Sequence, residues 1–268
     1  MPYDKLSTVV SVILLCLALS LMVELPTETF SFVVLGWHPT IGLSQRWLAA
    51  ALLASLSVLG TASIMYLHPL AQGGKPPYTF VSWILPGLAT LLAAILLPRA
   101  TDRIYALGGL AMTGILLPLI ITAEYRTVDP AAPGYKATRL GLDFVVYFIA
   151  LVFFVLIRES KAPGLLTAAA ALAGSSLLAL DLLHGTRQGL RRTGLYALIV
   201  GLVMGEIVWV LSYLKLNSLT AGILLLLIFY LITGLARQGL LKLLNRRILI
   251  EFALVALIGL VLLLKYAL

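Results

Sequence analysis

The stretch GLYALIVGLVMGEIVWVLSY, residues 194–213, decides how the rest of the chain is read. It is apolar almost throughout and holds one acid, Glu206. A helix of this length measures about 30 Å, the thickness of the hydrocarbon core of a bilayer. Small residues recur along one helical face at Ala197, Gly201, Gly205 and Ser212, and Trp209 stands one turn past the acid. Where no water drives helices together, small residues on one face let their backbones approach closely.

Working outward from it, blocks of the same kind repeat along the whole chain. The 268 residues are 61% hydrophobic and only 11% charged, with a mean hydropathy of +1.07. A soluble domain carries about 25% charged residues. The pattern predicts an all-α integral membrane helical bundle, one polytopic domain of nine transmembrane helices. The spans are expected near residues 6–24, 46–67, 78–97, 104–123, 139–157, 164–183, 194–213, 219–236 and 248–265. Eight spans is the alternative, since a miscount at the Ala-rich sixth block would move the C-terminus. No small-x-small cleavage site precedes Glu24 and Pro26, so the first block reads as a retained span and not a signal peptide.

The formal charge of +8 and pI near 9.7 do not point to nucleic acid, because no basic domain exists to carry it. The basic residues lie between the apolar blocks. Counted on alternate sides, the 19 Lys and Arg divide twelve to seven. The positive-inside rule then places the N-terminus in the cytoplasm and the C-terminus outside, in the cytoplasmic (inner) membrane. Arg237–Arg247 alternates leucines with Arg237, Lys242, Arg246 and Arg247 and is expected to lie on the anionic surface as a short helix.

Two local features carry further expectations. Residues 25–45 are apolar and β-prone and suit a short hairpin or a strap at the interface, with Trp37 and His38 in the headgroup layer. Pro86-Gly87, central in the third block, predicts a kink. In addition, Tyr105–Met112 echoes Tyr196–Met204 three spans later, the spacing of an inverted repeat.

The chemistry-bearing residues are few. The lone Cys16 excludes an intrachain disulfide or cysteine metal site, and the three histidines lack zinc-helix spacing. No metal site, cofactor or catalytic residue is predicted. Ser175 and Asp181 are six residues apart, on poorly aligned faces of one helix, which argues against a triad with His184. Gly73-Gly74-Lys75 lacks the strand and spacing of a phosphate loop. The densest polar cluster is Asp181 and His184 with Arg187, Arg191 and Arg192, which could grip a lipid phosphate or simply set topology. Asp143 with Arg139, and Glu251 with Arg247, have partners one turn away and read as structural. Glu206 has no basic residue at i±3 or i±4. The acid is expected close to the middle of this block, where a charge costs about 2.5–3.5 kcal/mol on insertion scales. It is expected either to donate a hydrogen bond as a neutral acid to another span or to face a hydrated cavity.

The run Glu206-Ile-Val-Trp209-Val-Leu-Ser-Tyr-Leu, the close return Leu219–Gly234 and the Arg246-Arg247…Glu251 start of the last block resemble an uncharacterised family of bacterial polytopic membrane proteins. The resemblance covers the C-terminal third and implies a membrane address without a reaction. The leading expectation is a non-enzymatic accessory or scaffold subunit, partnered by membrane lipids and other membrane-protein subunits, that holds a lipid or small hydrophobic ligand. The alternatives are a proton-coupled transporter using Glu206 beside Trp209, and a lipid-modifying enzyme with its polar site at Asp181 and His184.

Overall fold

A helix in hydrocarbon satisfies its own backbone, and the apolar blocks do form helices. The computed structural model describes residues 2–22, 30–31, 40–41, 45–72, 80–100, 102–129, 131, 133–160, 162–186, 188–214, 216–243, 245, 250–255, 257 and 259. Eight of its helical stretches are long and apolar enough to cross a membrane. They fall into two compact units, Met1–Thr138 and Arg139–Leu268.

In the first unit, α1 (Tyr3–Met22), α2 (Gln45–Met65), the short α3 (Pro69–Gln72), α4 (Ile84–Leu96) and α5 (Arg103–Thr127) follow in order. Between α1 and α2, β1 (Phe30–Ser31) pairs antiparallel with β2 (Thr40–Ile41). This is the pairing of a short hairpin, although Trp37 and His38 lie outside the described residues. Helix α1 packs on α2 and α5, and α4 on α2 and α5. Ile13 and Leu17 of α1, Ile64 and Met65 of α2, and Leu117 and Ile121 of α5 are buried in one apolar cluster.

The third span departs from expectation at Pro86. A 3-10 turn, Val81–Trp83, precedes α4, so Pro86 sits in the first turn of that helix and not at its centre. First-turn N–H groups have no intrahelical acceptor, so proline costs nothing there and no mid-helix kink is needed. Its carbonyl accepts hydrogen bonds from Thr90 Oγ1 at 2.9 Å and Ser57 Oγ at 3.1 Å, tying α4 to α2.

His68 follows α2 and is buried. Its Nδ1 accepts the Leu70 N–H at 3.2 Å, and its ring meets Tyr125 edge-on with centroids 4.6 Å apart. Burial holds its pKa below the usual 6.5, with the nearby Asp129 charge opposing. The unfolded chain therefore takes up the proton first as pH falls. Stability present above pH 6.5 is lost as pH drops toward the lower folded value. Protonation also removes the Nδ1 acceptor. The melting temperature of the purified protein in detergent is expected to fall between pH 7.5 and pH 5.5. His68→Gln should flatten that fall, and an unchanged slope in the variant would count against it.

The second unit holds α6 (Tyr135–Glu159), α7 (Gly164–His184), α8 (Leu190–Leu211) and α9 (Ser218–Leu240). Its most extensive pairing joins α7 to α8. The small-residue face of α8 makes that pairing, with Ala197, Gly201 and Gly205 buried, although Ser212 is exposed. A Cβ added at Gly205 would stand 3.0 Å from the Ala168 carbonyl oxygen. At the other end of α8, Arg158 donates to the carbonyls of Leu211 (3.3 Å) and Leu214 (3.2 Å), supplying a cation where the helix dipole favours one. Tyr147, Phe154 and Phe229 pack as a core of edge-on rings.

The basic stretch after α9 is not a separate surface helix over its described residues. Helix α9 runs through Arg237 to Leu240 and stops where Lys242 takes φ 56°. The Leu243 N–H reaches back to the Gln238 carbonyl at 3.0 Å, a Schellman-type end that reverses the chain. Residues 250–255 are helical again, but most of the expected ninth span lies outside the described residues. The two echoed segments fall in α5 and α8, one in each unit.

Candidate functional site

Alternating helix directions bring the start of α6 and the ends of α7 and α9 to one end of the second unit, and the polar groups there meet. Arg139, in the second turn of α6, ion-pairs through Nε with Asp143 Oδ1 at 3.1 Å. Its Nη1 donates to Asp181 Oδ1 at 3.5 Å, and its Nη2 donates to the Asp181 backbone carbonyl. Asp143 Oδ2 accepts from Arg237 Nη1 of α9 at 3.3 Å. The side chains are 45% exposed at Arg237, 19% at Asp143, 9% at Arg139 and 1% at Asp181. Charges thus alternate from the rim inward and sum to zero.

Below this layer the same faces of α6 and α9 stay in register. Tyr147, one turn beyond Asp143, places its hydroxyl 3.4 Å from Thr233 Oγ1, one turn before Arg237. Thr233 Oγ1 also donates to its own helix at the Phe229 carbonyl, 2.6 Å away. A residue at Gly185 would crowd this layer, since a Cβ there would stand 3.0 Å from Arg139 Nε. Among the described residues, Asp181 Oδ2 is buried without a hydrogen bond.

The candidates named from the sequence are distributed as follows. Asp181 is buried, and its partner is Arg139, 42 residues away, rather than the arginines that follow it. His184 is half-buried in the last turn of α7, Arg191 and Arg192 are exposed, and Arg187 lies outside the described residues. Glu206 is exposed on the side of α8 away from α7, with no hydrogen bond or ion pair to any described residue. Trp209 is 47% exposed, and one edge of its indole lies over Gly164, where a Cβ would stand 3.3 Å from Cδ1. Ser175 is also buried, and among the described residues its hydroxyl has no hydrogen-bond partner.

Sequence reasoning had set aside Arg139 and Asp143 as a local pair and assigned Arg237 to the surface. A signal for joining them existed. Arg139 lies five residues into α6, while Asp181 and Arg237 each lie four from the ends of helices running the opposite way. Opposite charges at one depth on neighbouring helices are expected to pair, because hydrocarbon offers them nothing else.

Chemically the network is a neutral latch holding three helices. Among the described residues, Asp181 Oδ2 has no hydrogen bond, Asp143 Oδ1 meets Arg139 Nε as an ion pair only, and no group of His, Cys, Asp or Glu is arranged to hold a metal ion. No curated protein matches the chain, and no solved structure does. Residues 25–265 match the model of a family described as a protein of unknown function. That match reaches well beyond the C-terminal third that carried the resemblance, and with nearly the whole sequence covered the chain belongs to this uncharacterised family, DUF5656.

Proposed function

We propose that the chain is a non-enzymatic integral membrane protein of the cytoplasmic membrane, an accessory or scaffold subunit whose outer helix faces bind lipid and other membrane-protein subunits. The observation that carries this reading is the latch. Its two arginines and two aspartates are engaged with one another, which is the arrangement of a structural tie. A site for acid-base chemistry would instead hold a carboxylate and a base apart and aimed at a cavity.

Nine spans with the N-terminus inside remains the preferred topology. Support for the ninth comes from contacts along α9. A Cβ at Gly234 would stand 2.6 Å from Phe252 Cζ, and one at Gly259 would stand 2.6 Å from Leu227 Cδ2. The pairs 234 with 252 and 227 with 259 run in opposite directions, as a returning helix requires. A tag on the N-terminus should be protected in intact spheroplasts and one after Leu268 should be reachable. Both ends on one side would overturn nine spans in favour of eight. The scaffold reading is tested by lipid analysis of overexpressing cells. A change in lipid composition that Asp181→Asn abolishes would replace it with a lipid-modifying activity.

A further inference from the structure

We propose that the basic rim of the second unit, formed by Arg191 and Arg192 at the start of α8 and Lys242 just past α9, holds an anionic phospholipid by its phosphate. The site deepens the scaffold reading by naming the class of lipid, and it rests on α8 and α9 spanning the membrane.

The latch divides the charges of this end unequally. Of the acids described there, Asp143 and Asp181 are turned into the latch, where Arg139 and Arg237 answer them. Glu251, which follows the next turn of the chain, has a partner of its own. Asp181 is the acid nearest in sequence to Arg191 and Arg192, yet it pairs with Arg139. Arg191, Arg192 and Lys242 are exposed and make no ion pair with any described residue. Three positive charges therefore stand outside a network that sums to zero.

The fold brings them to one rim. Helix α8 packs on α9 as well as on α7, and α8 and α9 run in opposite directions. Arg191 and Arg192 lie in the first turn of α8, and Lys242 follows Leu240, the last residue of α9. The ends of membrane-crossing helices reach the headgroup layer. An arginine grips a phosphate through two parallel N–H···O bonds. A phospholipid brings its phosphate to this level already anchored by its acyl chains. A zwitterionic headgroup carries its own cation and leaves the rim unanswered, whereas an anionic headgroup neutralises it.

Native mass spectrometry of the whole chain, purified in neutral detergent, tests the site. Phosphatidylglycerol is expected to bind at least about thirtyfold more tightly than phosphatidylcholine with the same acyl chains. Arg191→Gln combined with Arg192→Gln should remove about thirtyfold of that preference. Arg103→Gln, at an exposed position starting α5 in the other unit, should leave it unchanged. Equal binding of the two lipids by the wild-type chain overturns the site, and that comparison needs no variant to fold. So does a preference that survives in the double arginine variant, which is the result for charges that serve only to orient the chain during insertion. An equal loss in Arg103→Gln would reduce the site to general charge attraction and overturn it. Displacement of the lipid by millimolar inorganic phosphate would reassign the rim to a soluble anion and overturn the lipid reading. The same spectra separate this site from the non-enzymatic reading. A bound lipid whose mass changes with time overturns that reading and leaves the site, whereas an intact lipid bound without preference overturns the site alone.

Discussion

Arg139→Ala is expected to be among the most damaging single substitutions in the chain, lowering stability by about 3–5 kcal/mol. The arginine answers two carboxylates at once, Asp143 at 3.1 Å and the buried Asp181 at 3.5 Å. It also satisfies the Asp181 backbone carbonyl. Asp143 would keep Arg237, but Asp181, 1% exposed, would be left buried without its cation. The cost is chiefly that of stranding Asp181 and only partly that of losing a favourable contact. The remedy is accordingly predictable. Arg139→Met combined with Asp181→Leu removes both members of the buried pair, and should recover most of the loss. Unfolding in mixed micelles of rising SDS fraction, followed by circular dichroism, gives the four stabilities of the cycle. Equal losses in Arg139→Met and in the double variant would show that the two residues do not act as a pair. If Arg139→Ala unfolds at the wild-type SDS fraction, the latch contributes nothing to stability.

Gly201→Val is the second large effect. Helices α7 and α8 approach so closely that a Cβ at Gly201 would overlap Ser176 Oγ and stand 2.5 Å from the Leu172 carbonyl oxygen. A flexible side chain could turn aside, but a backbone carbonyl within a helix cannot. The two helices must therefore separate, and the neighbouring contacts of Gly205 with Leu172 and Ala168 loosen with them. Overpacking costs about 1–3 kcal/mol, and the helix backbone on the far side puts this site at the upper end. Gly194 is the control in the same helix. Nothing lies within 4 Å of a Cβ there, so Gly194→Ala should be neutral or should gain as much as about 1 kcal/mol from helix propensity. The same micelle titration separates the two variants. A Gly201→Val protein as stable as Gly194→Ala would mean that α7 and α8 do not pack through their glycine face.

Hydropathy is a property of each residue in its own neighbourhood, and it was sufficient to place the helices. Composition and block length alone predicted an all-helical chain with apolar stretches of membrane-crossing length, and eight such helices stand among the described residues. The close-packing face of α8 was also readable, because glycine has one plain use at a helix–helix contact, and Ala197, Gly201 and Gly205 are buried as their spacing implied. The side of a helix on which a lone polar residue falls was not readable. Depth follows from counting along the chain, but azimuth is set by which face the neighbours take. Only the packing of α7 against the glycine face turned Glu206 outward. Partnership was equally hidden. Arg139 and Asp143 satisfied the local i, i+4 rule and looked complete, while Asp181 had closer cations in the following loop. Antiparallel packing of α6, α7 and α9 carried Arg139 to Asp181 across 42 residues and Arg237 to Asp143 across 94. A buried charge pairs with whatever the fold brings within reach at its depth, and sequence distance does not enter that energy.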